Sequence, residues 1–254
     1  MTTASTQKTP VTPVPAATLL LLRDGPEGIE VLLTTRHDAA GFAAGATVFP
    51  GGKLDASDHQ CHGAGDALRV AAIRETFEEC GILLARRAAD GVMLTRAALS
   101  ELLARQSSVT DFNALIERAE LTLATDLLVP FAHWITPADQ PKRFDTHFFL
   151  APVPPDQVAM HDGREAIVVH WLTPEGAIAA ARRGEIKLVL PTRLNLLKLG
   201  RSNSVTEALE AARRSEIVTV QPDLVETAEG PAFRIPATAD YGVTEVLVSS
   251  YRRA

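Results

Sequence analysis

Hydrophobic and polar positions along the chain fall into blocks whose period changes several times. Ala17 to Arg23 and Ile29 to Thr35 are two β-rich runs, separated by Asp24 to Gly28, whose glycines and proline supply turn chemistry; the pair reads as adjacent strands. Gly41 to Gly52 is rich in glycine and alanine and ends in Phe49-Pro50-Gly51-Gly52, a loop and short strand where backbone comes close to another group. From Asp66 to Cys80 the period turns helical. Val70, Ile73, Phe77 and Cys80 recur at steps of three and four, and Gly81 stands where a C-cap glycine belongs. Ile82 to Ala85 then restarts as a buried strand.

Residues 95–120 read as two helices, N-capped by Thr95 and Thr110, followed by β-like runs Leu121 to Ile135, Phe144 to Val153 and Ala166 to Leu172. Thr173-Pro174 opens a helix with its cap and first-turn proline; a second helix starts at Pro191 and a third carries the capping box Ser204 to Glu207. Ile217 to Val248 is β-like and broken by Pro222, Gly230, Pro231 and Pro236, which predicts an added hairpin or two. Strands interleaved with helices indicate an α/β or α+β sandwich with a mixed sheet.

Composition narrows the function classes. The 254 residues are 46% hydrophobic and 22% charged, enough for one sizeable core, and exclude disorder over most of the length. With 25 Lys and Arg against 31 Asp and Glu, the net charge of −6 removes the broad positive field of a sequence-independent nucleic-acid binder, although a nucleotide-sized anion can still be held by a local cation or metal. Cys61 and Cys80 make no disulfide framework, and Ala16 to Leu22 is too short an apolar run to cross a bilayer, so a soluble protein in the reducing cytoplasm is expected. Residues 1–15 read as a loose Thr/Pro-rich tail, residues 16–254 as one domain, with a helical insertion at about 95–120 and a C-terminal extension at about 200–254.

The candidate chemistry lies on the helix that ends at Gly81. Glu75, Glu78 and Glu79 stand at i, i+3 and i+4, which places three carboxylates on one face, roughly opposite the apolar stripe. Each like-charge pair so placed costs about 0.2–0.5 kcal/mol in an isolated helix, so the cluster is understandable either as a solvated acidic face or as the seat of a cation. Hard oxygen ligands of this kind suit Mg²⁺ or Mn²⁺, ions that bind substrate phosphates at the same time. Arg74 can pair with Glu78 one turn on.

Gly52, Asp66 and the run Arg74-Glu75-Thr76-Phe77-Glu78-Glu79-Cys80-Gly81-Ile82 resemble the signature of the Nudix hydrolase family, G-x5-E-x7-R-E-U-x-E-E-x-G-U with U a bulky aliphatic. Thirteen residues separate Gly52 from Asp66 instead of five, Asp66 replaces the first Glu, and Thr76 stands at an aliphatic position. The intervening stretch, Lys53 to Gly65, holds Asp55, Asp58, His59, Cys61 and His62; their spacing makes a poor tetrahedral zinc site, and the stretch reads as a polar surface loop. An interrupted box is similar to that of the coenzyme A diphosphatase branch. So is the upstream motif of Arg36, Gly45 and Phe49 to Gly52, although His37 stands where a small residue is usual and Gly41 where an arginine is usual.

The resemblance implies an α/β/α sandwich, divalent metal ions, and attack of water on a nucleoside diphosphate linked to another group. Coenzyme A or acyl-coenzyme A is the expected substrate, with ADP-ribose, NADH or dinucleoside polyphosphates as alternatives, and a catalytically silent nucleotide-binding module as a rival of another class. Glu75 and Glu79 are the expected metal ligands, Glu78 a third ligand or the general base, and Arg74 the residue that orients the glutamates. The Gly52 carbonyl could reach the metal. Asp66 is expected to orient Arg74, and Arg36, Arg143, Gly51 and Gly52 are the candidates for substrate binding. Glu165 could add a carboxylate, Trp134 and Trp171 could stack on a base, and His133, His147 and His170 read as strand histidines. No nucleic acid or membrane partner is expected, and a homodimer is compatible with the C-terminal extension.

Overall fold

Alternate residues of the first leucine-rich run face opposite ways: Leu19 and Leu21 enter one apolar cluster, Leu20 and Leu22 another, and all four are fully buried. A strand does this only at the centre of a sheet covered on both faces. That strand is β1 (Val14–Gly25) of a computed structural model that describes residues 11–37, 44–61, 66–104, 111–161 and 166–249.

In chain order there follow β2 (Gly28–Arg36), β3 (Thr47–Val48), β4 (Gly51–Lys53), the helix α1 (Ala67–Cys80) and β5 (Ala85–Arg87). The helical pair α2 (Arg96–Ala104) and α3 (Phe112–Arg118) precedes β6 (Leu121–Leu123), β7 (Val129–Ile135), β8 (Phe144–Pro152) and β9 (Ala166–Leu172). Three helices, α4 (Pro174–Arg182), α5 (Leu190–Leu199) and α6 (Val205–Arg214), lead to β10 (Thr219–Val220), β11 (Asp223–Thr227), β12 (Gly230–Arg234) and β13 (Glu245–Leu247).

The main sheet runs β10-β7-β8-β1-β2-β3, with β4 paired to β1 and β9 to β2. It is mixed, because β1 runs parallel to β8 and antiparallel to β2 and β4. One apolar cluster packs α1, α2 and α3 on one face; the other packs α4, α5 and α6 on the opposite face, giving the expected α/β/α layers. The C-terminal residues are tied into this body. β10 pairs with β7 at the sheet edge, and buried Tyr241 accepts a hydrogen bond from Trp134 Nε1 (2.8 Å) and donates to Asn195 Oδ1 (2.8 Å).

Several local expectations change. The chain is held from residue 11 onward, since β1 begins at Val14 and the Val11 carbonyl accepts from Arg143, so a tail boundary at residue 15 is too late; residues 1–10 lie outside the described residues. Ile82 to Leu84 are fully buried but form no strand. The Gln157 amide takes the place of a neighbouring strand there, accepting from the Leu83 N–H (2.9 Å) and donating to the Leu83 carbonyl (3.0 Å). The cap of α3 is Asp111, whose carboxylate accepts from the Ala114 N–H, and Thr110 lies outside the described residues.

Candidate active site

Helix α1 is bounded as its sequence dictates. The Asp66 carboxylate accepts from the Leu68 N–H at the N-terminus, and Gly81, at φ 68°, closes the C-terminus with its N–H donating to the Phe77 carbonyl. Thr76 is tolerated at an aliphatic position because its hydroxyl donates to the Ala72 carbonyl (2.7 Å), leaving the methyl group to the core. The acidic face is not a solvated one. Glu79 is 4% exposed and the Glu75 side chain 14%, while Glu78, at 50%, faces water.

Arg74 organises this face. Its guanidinium uses all five of its N–H donors. Nε and Nη2 grip the two oxygens of Asp58 (2.8 and 3.0 Å), Nη2 also reaches the Lys53 carbonyl (3.0 Å), and Nη1 divides between Glu75 Oε1 (2.8 Å) and Glu78 Oε2 (3.2 Å). Burial opposes the charge of Arg74, but the Asp58 hydrogen bonds and the neighbouring Glu75 charge outweigh it and push the pKa up, so the guanidinium stays cationic at any working pH.

The orienting carboxylate is thus Asp58 and not Asp66. Because α1 starts directly after Asp66, eight residues of helical rise put Arg74 about 12 Å away along the axis, beyond the reach of an aspartate. Asp66 instead caps the helix and lies 3.6 Å from Arg69. Asp58 sits in a 3-10 turn, Ala56–Gln60, capped by Asp55, and its side chain is wholly buried; the Asp55 N–H donates to it as well (2.8 Å). The stretch from 53 to 61 is thus a surface segment, exposed at Lys53, Asp55, His59 and Gln60, that turns one carboxylate inward. The missed signal was spacing: five residues separate Gly52 from Asp58, so the extra residues follow the first carboxylate of the signature instead of preceding it. His62 of the weighed zinc string lies outside the described residues.

Gly51 and Gly52 pair with Thr18 and Ala17 of β1, and each is required for a different reason. A methyl group on Gly52 would lie 2.3–2.5 Å from the Glu75 carboxylate; one on Gly51 would strike the Ala17 carbonyl (2.4 Å) and Thr18 Cα (2.7 Å). Glu75 is thus seated directly over the Gly52 backbone. Three carboxylates and a peptide carbonyl form a donor set that fits a hard divalent cation. The donor oxygens of Glu75, Glu78 and Glu79 do not all come within 4.8 Å of one another, as mutually repelling like charges would not.

Arg143 does not serve as a phosphate ligand. It is 7% exposed, and its guanidinium donates to the Thr136 carbonyl (3.0 Å), the Val11 carbonyl (2.8 Å) and Gln221 Oε1 (3.3 Å), so it ties the start of β1 to the strands beside it. Arg36 ends β2, partly exposed, where its N–H donates to the Ala46 carbonyl on the way to β3 and Gly51. Trp134 is core, and Trp171 lies under the Arg23 guanidinium, 4.3 Å from its ring centre. Gly41 and Glu165 fall outside the described residues. A groove between α5 and the β11–β13 sheet, lined by Arg193, Leu197, Val243 and Val246, lies on the far side of the main sheet from α1.

Residues 63–199 match the NUDT19 Nudix domain family. A putative nudix hydrolase 7 of Caenorhabditis elegans is 30% identical over 169 residues, 66% of this chain and 55% of that protein. The acyl-coenzyme A diphosphatase NUDT19 of Gallus gallus is 27% identical, over 72% of this chain and 64% of its own length. This chain therefore spans less than two thirds of either relative. A crystal structure of a NUDIX hydrolase from Alicyclobacillus acidocaldarius superposes with a TM-score of 0.67 at 29% identity, covering 79% of this chain and 96% of the other. Among the described residues no helix is long and apolar enough to cross a membrane.

Proposed function

Since the chain belongs to the Nudix hydrolase family, we propose that it hydrolyses a nucleoside diphosphate linked to another group, with coenzyme A or acyl-coenzyme A as substrate, yielding 3′,5′-ADP and (acyl)phosphopantetheine. The observation that carries this reading is the Asp58–Arg74 lock, which holds Glu75 and Glu78, with Glu75 seated over the bare backbone of Gly52.

Bound Mg²⁺ or Mn²⁺ would neutralise the diphosphate and lower the pKa of the attacking water. Glu75, Glu79 and the Gly52 carbonyl would hold the cation, and the exposed Glu78 would be the third ligand or take the proton from water. Arg74 donates to both Glu75 and Glu78, so both carboxylates would enter the reaction already oriented. Arg36 and the Gly51-Gly52 turn contact the substrate phosphates.

Support for coenzyme A comes from the NUDT19 relatives and from Arg36 and the Phe49 to Gly52 turn. Gly41 in place of an arginine favours a second reading, the same chemistry on ADP-ribose, NADH or a dinucleoside polyphosphate. The test is chromatographic product analysis with Mg²⁺ or Mn²⁺ across these compounds. 3′,5′-ADP as the dominant product from coenzyme A supports the first reading, turnover of another diphosphate the second. Hydrolysis of none would mean a silent binding module.

A further inference from the structure

Among the described residues, one His/Cys/Asp/Glu trio brings its donor atoms within 4.8 Å of one another, and it lies outside the glutamate site: His133, Asp145 and His147. The sheet builds it. His133 of β7 and His147 of β8 are direct cross-strand partners, and Asp145 precedes His147 by two positions, so all three side chains rise from the same face. The imidazole rings stack with centres 4.1 Å apart; His133 Nε2 meets Asp145 Oδ1 at 2.5 Å, and His147 Nε2 lies 3.9 Å from the same oxygen.

Two further features suit a metal. Thr219 of β10 is the cross-strand partner of His133, and its hydroxyl contacts His133 Nδ1 at 2.8 Å, the outer hydrogen bond that fixes the orientation and tautomer of a metal-binding imidazole. Side-chain exposures of 16% for His133, 36% for Asp145 and 38% for His147 leave the face open for entry of the ion and for water in its remaining positions.

We propose that His133, Asp145 and His147 form a second divalent-metal site, selective for a borderline ion of the Zn²⁺ class. Two imidazoles and one carboxylate, with positions left for water, prefer Zn²⁺, Co²⁺ or Ni²⁺ over Mg²⁺, whereas the carboxylates near Gly52 have the opposite preference. With Nε2 given to the ion, a neutral His133 would carry its single proton on Nδ1 and donate it to the Thr219 hydroxyl. The two sites are distinct but near. Ala17 of β1 pairs with Gly52 on one side and His147 on the other, so two strand spacings, about 10 Å, separate those backbones.

The test is equilibrium dialysis of the full chain against Co²⁺, read by visible absorption and elemental analysis, and it is independent of hydrolytic activity. In the Glu75→Gln/Glu79→Gln variant one Co²⁺ per chain remains, and Zn²⁺, unlike Mg²⁺, displaces it. His133→Gln/His147→Gln, made in that background, weakens Co²⁺ binding by about a hundredfold, and Asp145→Asn alone, which keeps both rings, by about tenfold. Equal Co²⁺ affinity in Asp145→Asn, loss of Co²⁺ to Mg²⁺, or no Co²⁺ bound once the box glutamates are replaced would each overturn the proposal.

Discussion

Replacing Asp58 by asparagine removes one charge from the interior while keeping the shape of the side chain. The wild-type carboxylate is wholly buried, grips Arg74 through two hydrogen bonds and accepts a third from the Asp55 N–H. Asparagine can accept from Arg74 at one atom only, and its amide nitrogen faces a cation. The loss should be about 3 kcal/mol, the low end for removing one partner of a buried ion pair, because Glu75 and Glu78 still face the guanidinium. For a chain of this size that corresponds to a fall in Tm of roughly 6–12 °C. Released on one side, Arg74 no longer fixes Glu75 and Glu78, and kcat/KM and the metal activation constant should each worsen by about tenfold to a hundredfold. Asp66→Asn is the matched control. Asparagine caps a helix as well as aspartate does, so Tm and turnover should stay near wild type. Thermal unfolding and metal-titrated hydrolysis of both variants decide the matter: equal damage from Asp66→Asn, or none from Asp58→Asn, would refute the assignment.

Neighbouring glycines should fail in different ways. Gly52→Ala displaces only the Glu75 carboxylate, so the chain stays folded while hydrolysis drops by about a hundredfold; Gly51→Ala strikes backbone and should cost about 1–3 kcal/mol of stability, as denaturant unfolding would report. Arg143→Gln should lower the unfolding midpoint and leave KM unchanged; a raised KM would return Arg143 to the substrate. Tyr241→Phe strands Trp134 Nε1 and Asn195 Oδ1 and should cost about 1–3 kcal/mol, and an unchanged midpoint would mean that the C-terminal residues are not part of the cooperative fold. Burial holds the His170 pKa below its ordinary value near 6.5, so the unfolded chain binds the extra proton first. Stability from this residue is full above that value and falls as pH drops through it, a slope that His170→Gln should flatten.

Much of this architecture was legible because it is local. The alternating leucines of β1, the 3.6-residue stripe of α1, its Gly81 cap and the Thr173-Pro174 start of α4 are set by neighbours in sequence. What could not be read depends on distant partners. Arg143 resembles a free cation until Val11 and Gln221, 132 and 78 positions away, are brought to its guanidinium. The run Ile82 to Leu84 has a strand's composition, and only Gln157, 74 positions from Leu83, shows why it needs no strand beside it. Asp58 lies between these cases. Its five-residue distance from Gly52 is present in the sequence, but the inserted residues hide it, since the helix supplies a second carboxylate at the familiar eight-residue distance from Arg74.

The parallel pairing of β1 with β8 also sets a timetable. Thr18 and Phe148 are partners 130 positions apart, and at about 5–20 residues per second a ribosome needs roughly 7–26 s to supply the second after the first. Through that interval Leu19 to Leu22, destined to be covered on both faces, has β2, β4 and α1 beside it but nothing on its β8 edge. The strand against which Gly51 and Gly52 are seated thus waits for its parallel neighbour, and Val31 of β2 beside it waits longer still, for Leu172 of β9. Nascent chains halted before residue 144 will carry every glutamate of the site yet leave the β8 edge of the leucine strand unpaired, an open edge of the kind that invites association.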